Sequence, residues 1–320
     1  MKSITSVLSI IALGFGLLSC SGSGGSGGGD SGSSGSGTVV YLADQDNFDV
    51  FELYLATSGT KLNPPLGLGH TVTRFALTPD ASAVIYIADQ DQIGIFQLYR
   101  VSLATPGVST RLNPMLVTGQ DVVEFAVTPD NSAVVYRADQ TIDDVFQLYR
   151  TVLATGVNSK LNPPYTAGQD VDAFVILPNS SGVIYRADQN TDDVRELYRV
   201  LFATAPVTDR LVTPFLVFGQ NVGAFAATPD SAKVVYIANA PLLSGPNQLF
   251  TVFAGGGGNI VLNHVLVTNG DVTDFAITPD NSAVVYRADQ DIDEVFELYR
   301  TSFLSPGSST KLNPALVPGG

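Results

Sequence analysis

Residues 136–150 read YRADQTIDDVFQLYR, and residues 286–300 read YRADQDIDEVFELYR. Two nearly identical stretches, each with carboxylates at its centre, admit three readings: a metal site, a paired-acid active site, or a repeated structural hairpin. The opening tyrosine shows where to look. It recurs at Tyr41, Tyr86, Tyr136, Tyr185, Tyr236 and Tyr286, at spacings of 45, 50, 49, 51 and 50 residues. A second marker, Phe-x-x-Thr-Pro-Asp, stands at 75–80, 125–130, 225–230 and 275–280, and weakens to FVILPN at 174–179. A third, LNP, follows at 62–64, 112–114, 161–163 and 312–314, with VTP at 212–214 and LNH at 262–264. A period near 50 residues with three markers in fixed order is the signature of a repeat architecture.

Within one unit, residues 121–163, the pattern gives four short strands: VVEFAVT (strand a), SAVVYRA (b), VFQLYRTVL (c) and SKLN (d). The runs are short, rich in β-branched residues and punctuated by Pro, Gly and Asn, which excludes helix. Thr128-Pro129-Asp130-Asn131 makes the a–b turn, where Pro sets φ and Asp can bond its own backbone. Strands b and c are apolar on both faces in places, as sheets covered on both sides require. Six such units predict an all-β chain folded as a six-bladed β-propeller, about four antiparallel strands to a blade. Phe75, Phe125, Phe174, Phe225 and Phe275 are expected to be buried at equivalent places between blades.

Repeats of this form, F-x-x-(S/T)-P-D-x-x-x-V-V-Y followed by a Leu-Tyr strand, resemble the TolB-type, WD-like β-propeller repeat of bacterial envelope proteins. The resemblance covers 38–320. It implies the fold and leaves function open, because that propeller serves TolB, peptidase gating domains and lyases alike. Two departures stand out. The Gly usual after Pro-Asp is here Ala81, Asn131, Ser231 or Asn281. The α/β domain of TolB has no counterpart in the segment before residue 38, so TolB's own role is not implied. The first unit opens at strand b (Thr38-Val39-Val40-Tyr41) and the last ends at LNPALVPGG. An incomplete first blade is therefore expected, three-stranded or completed by chain beyond this sequence, with the junction of blades 6 and 1 the weak point.

The segment before the repeats has its own logic. Lys2 precedes an apolar run, Val7 to Leu18, about the length of a signal-peptide core and short of the roughly 20 residues of a membrane span. Leu17-Leu18-Ser19-Cys20 resembles the lipobox of bacterial lipoproteins, which implies that Cys20 becomes the acylated N-terminus of the mature protein. Cys20 is the only cysteine, so an intrachain disulfide is impossible. Residues 21–37, almost all Gly and Ser, read as a flexible tether spanning some 20–25 Å. The expected organisation is a signal peptide at 1–20, a tether at 21–37 and a propeller at 38–320. The resemblance places the protein in the bacterial envelope, lipid-anchored, with Ser21 after the cysteine fitting the outer membrane. With 30 acidic against 16 basic residues the chain carries −14, which repels phosphate backbones and argues against nucleic-acid binding.

The acidic stretches fall between strands b and c: DQDNFD (44–49), DQTIDD (139–144), DQNTDD (188–193) and DQDIDE (289–294). Calcium takes about six to eight oxygens, which makes Asp139, Asp143, Asp144, Asp289 and Asp293 its candidate ligands. The spacing lacks the Gly and Glu of an EF-hand, and the fifth unit, NAPLLSGPN at 239–247, has no acid there. Paired-acid hydrolysis needs two carboxylates flanking one substrate, which a rim repeated on several blades does not supply. A hairpin with Asp139 facing Val145 would set Arg137 opposite Gln147, Arg186 opposite Glu196 and Arg287 opposite Glu297. Such cross-strand pairs contribute about 0.2–1 kcal/mol each, and the stretch is read as chiefly structural. His70 and His264 read as loop residues, and no nucleophile-elbow, zinc-protease or phosphate-loop motif occurs. Ligand recognition is sought where units differ. Those places are the starts of the strands a near the central channel (Arg74, Glu124, Asp172, Gly223, Asp274), the loop Ala240-Pro241-Leu242-Leu243 and the run Gly255 to Gly258. The function expected is a non-catalytic module that binds or scaffolds an envelope protein or peptide without a cofactor. The alternative is a propeller lyase or hydrolase using channel carboxylates with calcium.

Overall fold

A computed structural model describes residues 37–203, 210–214, 216–239, 245–314 and 316. Cys20, the Gly/Ser tether apart from Gly37, and the Ala240 to Leu243 loop lie outside these residues. The described residues are all-β: six antiparallel sheets follow one another along the sequence and are the blades of a six-bladed β-propeller fold. The first blade has three strands, Val40–Ala43, Glu52–Leu55 and Thr60–Lys61. The others have four, in the order a-b-c-d, over 72–111, 122–160, 171–211, 222–261 and 272–311. In blade 3 they are Val122–Val127, Ala133–Ala138, Gln147–Val152 and Asn158–Lys160. The chain divides into two compact units, Met1–Thr118 with blades 1 and 2 and Gly119–Gly320 with blades 3 to 6.

The recurring tyrosine marks the centre of each blade. Tyr136 on strand b sits directly opposite Tyr149 on strand c, both buried, with ring centroids 5.5 Å apart and stacked. Blades 1, 2, 4 and 6 repeat the pair, and blade 5 uses Tyr236 with Phe250 at 5.3 Å. Such a pair adds about 0.5–1.5 kcal/mol beyond the area it buries. The phenolic hydroxyl needs a partner in the core, and the Gln of Ala-Asp-Gln supplies one: Tyr136 Oη donates to Gln140 Oε1 at 3.0 Å. The five phenylalanines of strand a occupy equivalent positions, but only Phe125 and Phe174 are buried. Phe75, Phe225 and Phe275 are half-buried, packed on clusters that join blades 1 and 2, 4 and 5, and 5 and 6 respectively. The expectation of full burial is corrected for these three. Strand a is the edge of each sheet, so its side chains have a sheet neighbour on one side only.

The Thr-Pro-Asp turn explains its own composition. In blade 2, Thr78 Oγ1 donates to Asp80 Oδ1 at 2.7 Å and accepts Ala83 N–H at 3.1 Å, while Ser82 N–H donates to Asp80 Oδ1. The residue after the acid, or after Asn179 in blade 4, has left-handed backbone in every four-stranded blade, with φ of 53° at Ala81, 61° at Asn131, 57° at Ser180, 62° at Ser231 and 58° at Asn281. Glycine suits that conformation because it lacks Cβ, and Asn tolerates it better than Ala does.

One expectation about the central hairpin is overturned. Gln147 pairs with Ala138 and Leu148 with Arg137, and likewise Leu197 faces Arg186 and Leu298 faces Arg287. The Arg137–Gln147, Arg186–Glu196 and Arg287–Glu297 pairs therefore do not form. Asp144, at φ 57°, takes up one residue within the loop. A slip of one residue turns every side chain of a strand to the other face. On strand c the arginines thus face leucine, while on strand a they face acids: Glu124 lies opposite Arg137 and Asp274 opposite Arg287.

Candidate functional site

Strand b runs toward the same edge of the blade at which strand a begins, so the b–c loops and the d–a connections share that edge. Most of the candidate carboxylates stand there. Asp139 is buried, and both its oxygens are engaged by backbone: Asp121 N–H donates to Oδ1 at 2.6 Å and Asp144 N–H to Oδ2 at 3.1 Å. Asp89 holds the amides of Thr71 and Gly94 at 2.7 and 3.0 Å, and Asp289 those of Asp271 and Glu294 at 2.5 and 3.0 Å. In blade 4, Asp188 accepts Asp170 N–H at 2.6 Å, and burial outweighs its hydrogen bonds to push its carboxyl up. Blade 5 substitutes Asn239, which accepts Asn221 N–H at 2.7 Å. The second amide belongs to a residue of left-handed backbone, such as Asp144 or Glu294. The first acid of each loop is thus a staple that ties the loop to the entry of strand a.

Asp139, Asp143 and Asp144 each offer an oxygen within 4.8 Å of the others, so the sequence candidates of blade 3 do converge. Asp143 packs on Gly119 (φ 93°), where a Cβ would lie 2.8 Å from Asp143 Oδ1 and push that carboxylate aside; blade 6 has Asn269 (φ 64°) at this place. Asp293 instead accepts Asn269 Nδ2 at 3.4 Å, and among the described residues Asp289 and Asp293 form no such triad.

The candidates on strand a are not one equivalent set. A β-bulge interrupts the a–b ladder near the start of strand a in blades 2 to 6. Arg74, Glu124 and Asp274 stand just after it, opposite Ile87, Arg137 and Arg287. Asp172 is the extra residue itself, between Val171, paired with Ala187, and Ala173, paired with Arg186. Bulges re-aim side chains, and this one brings Asp172 Oδ1 to Arg186 Nε and Oδ2 to Arg195 Nε, both at 2.7 Å. Glu124 meets Arg137 Nε at 3.4 Å. The arginines also cross to the next blade, Arg137 to the Val171 carbonyl at 3.3 Å and Arg186 to the carbonyls of Val222 and Gly223. In blades 3 to 5 these groups form a charged seam that binds neighbouring strands a together. Arg74 and Asp274 are exposed.

Sequence reasoning gave the Glu or Gln that opens strand c the wrong partner. Glu52 is fully buried, with Oε1 accepting Leu66 N–H at 2.8 Å and Oε2 accepting Lys61 Nζ at 2.5 Å. Glu297 pairs with Lys311 at 2.6 Å, and that bond holds its carboxyl below the usual range. Gln147 accepts Lys160 at 3.1 Å. The recurrence of Glu/Gln-Leu-Tyr ahead of a Lys-Leu-Asn was the available signal. His70 Nδ1 donates to the Asp89 carbonyl at 2.8 Å, and Gln169 Nε2 donates to the Gln189 carbonyl in the same way in blade 4. His264 Nδ1 accepts Val265 N–H at 2.5 Å. Both are loop-building residues. Gly256, Gly257 and Gly258 have positive φ and form a loop, as expected.

No protein-family model matches the chain, and no curated protein matches it. Solved structures similar to it include TolB from Acinetobacter baumannii, at 14% identity and a TM-score of 0.43, covering 82% of this chain and 57% of that one. The repeat family named from the sequence thus recurs among them. They also include Porphyromonas gingivalis dipeptidyl peptidase 4, at 11% identity and a TM-score of 0.64, covering 86% of this chain and 44% of that one. A puromycin-hydrolyzing peptidase of Mycobacterium tuberculosis matches at 11% identity and a TM-score of 0.52, covering 86% and 43%. The chain spans about half the length of each of these three proteins. At such identities the likeness is one of fold.

Proposed function

We propose that this protein is a non-catalytic binding module of the bacterial envelope, held to the outer membrane through acylated Cys20 and presenting its propeller to a protein or peptide. The observation that carries the reading is the use made of the candidate carboxylates. Asp139 and Asp289 are each engaged by two backbone amides, and Glu124 and Asp172 by arginines. An acid–base pair for hydrolysis needs carboxylates open to a substrate, whereas these build loops and join strands. Fixed loops on a rigid sheet scaffold suit recognition of a partner by surface complementarity.

The test is capture from envelope extract by the immobilised full chain, run beside turnover assays on peptide and polysaccharide substrates with and without calcium. Saturable capture of a defined partner without turnover is expected; calcium-dependent turnover lost in Asp172→Asn would establish the enzyme instead. The anchor is tested by Cys20→Ser, which should move the protein out of the membrane fraction, since each acyl CH₂ contributes roughly 0.8 kcal/mol of membrane binding. Unchanged partitioning would refute it.

A further inference from the structure

The edge that carries the b–c loops and d–a connections differs in chemistry from the opposite edge. In the unit of blades 3 to 6, its b–c loops read Ile142-Asp143-Asp144, Thr191-Asp192-Asp193 and Ile292-Asp293-Glu294: an apolar or hydroxyl-bearing tip followed by two acids. Ile142 and Ile292 are 45% and 60% exposed. The d–a connections add Phe218 and Val265, at 75% and 82% exposure. The loops stand side by side within a blade, since Asp143 lies on Gly119, Asp192 on Gly168 and Asp293 on Asn269. All six carboxylates of the three doublets are exposed. Among the described residues none of them pairs with a Lys or Arg; the nearby bases Arg195 and Lys311 are committed to Asp172, Asp291 and Glu297.

The opposite edge holds single acids, Asp130, Asp230 and Asp280, each in a Thr-Pro-Asp turn. There Ser132 N–H, Ala232 N–H and Ser282 N–H donate to them, and the Thr hydroxyls of 228 and 278 reach Asp230 and Asp280. Unpaired acids in doublets between exposed Ile, Phe and Val make a surface whose complement is a chain of opposite charge with apolar side chains between its charges.

Resting on the binding role proposed above, we infer that this edge of blades 3 to 6 is the docking surface, and that its partner is a basic amphipathic polypeptide segment. Lys or Arg of the partner meets the acid doublets, and its apolar residues cover Ile142, Phe218, Val265 and Ile292. In the first unit the corresponding tip of blade 1 is Asn47-Phe48-Asp49, with a single acid, and Phe48 is 90% exposed. There, however, blade 1 keeps only Asp49 of the doublet and blade 2 has Ile93-Gly94 in its place, which makes this edge of the second unit the more acidic one.

The test uses the full chain and two synthetic helical peptides of equal length, one of Leu and Lys and one of Leu and Glu, with binding read by fluorescence anisotropy. The Leu/Lys peptide should bind and weaken by about tenfold or more between low and high salt, because exposed charge pairs are screened. The Leu/Glu peptide should not bind. Phe218→Ser with Ile292→Ser should weaken binding at least about fivefold, and Asp143→Asn with Asp293→Asn should flatten the salt dependence. Val157→Ser with Leu304→Ser, exposed apolar positions on the opposite edge, should change nothing. All these side chains are exposed, so unchanged melting temperatures confirm folding. Equal binding of both peptides, or edge variants that behave like the opposite-edge control, overturns the inference. Binding of neutral phosphatidylcholine vesicles in preference to the peptide also overturns it, by assigning the edge to a lipid surface. If a partner captured from envelope extract is retained equally by the edge variants, the binding role stands and this docking surface falls.

Discussion

Replacing Asp139 by Ala removes the acceptor of two backbone donors at once, Asp121 N–H at 2.6 Å and Asp144 N–H at 3.1 Å. A buried donor left without a partner costs about 1–3 kcal/mol. Asp121 is half-buried and Asp144 exposed, so water reaches the second amide and its share falls at the low end. The expected loss is about 2–4 kcal/mol, or roughly 30- to 1000-fold in the local opening equilibrium at about 1.4 kcal/mol per factor of ten. Asp139→Asn should cost only about 1 kcal/mol, because Asn239 shows that an amide oxygen can hold the first of these donors in blade 5. The assay is hydrogen exchange at Asp121 and Asp144, with urea unfolding as the global measure. The sizes should be the same with and without calcium. A loss below about 0.5 kcal/mol for the Ala variant, or an Asn variant as damaged as Ala, would refute the staple. Losses that appear only in the presence of calcium would show that Asp139 acts as a metal ligand.

Ala81→Gly should stabilise blade 2 by about 0.5–1 kcal/mol, since left-handed backbone strains Ala and not Gly; no gain in the urea midpoint would contradict the strain argument. Acid should weaken the Thr-Pro-Asp turns. The Thr278 hydroxyl and Ser282 amide hold the Asp280 carboxyl down at about 2, and a depressed carboxyl contributes stability above its unfolded value that is lost as pH falls through its folded one. The melting temperature should therefore drop between about pH 4 and pH 2, and Asp280→Asn should shallow that drop, because Asn179 already fills this place in blade 4 with Ser181 N–H on its Oδ1. An unchanged slope would count against it. Millimolar calcium should raise the melting temperature little, a ligand's gain being RT ln(1 + [L]/Kd); a large rise abolished by Asp143→Asn with Asp144→Asn would establish a site at the blade 3 triad.

The fold was legible in the chain because a propeller writes each blade in nearly the same words. The tyrosine spacing, the Thr-Pro-Asp turn and the Leu-Asn-Pro that follows are local devices. Period-two alternation and turn chemistry act over a few residues, so the strands of blade 3 could be drawn to within two residues of where they lie. The glycine that the repeat usually has after Pro-Asp was also readable, and the positive φ at Ala81 and Asn131 supplies its reason.

What could not be read was which face each side chain takes. One residue of left-handed backbone at Asp144 and one bulge near Val122 each shift the count by one. Such a shift sets Arg137 opposite Leu148 rather than Gln147 on strand c and opposite Glu124 on strand a, and brings Asp172 between Arg186 and Arg195. Nothing in residue type announces it, because Asp and Glu are compatible with either conformation and the cost is repaid by contacts across blades. The same holds for the carboxylates. Composition determined that this chain is acidic and that its acids repeat. Only the tertiary structure decided that the first acid of each loop is spent on backbone amides from the entry to strand a, 18 residues back in blades 2, 3, 4 and 6, while the acids after it remain at the surface, because burial admits a carboxylate only where donors are already in place to meet it.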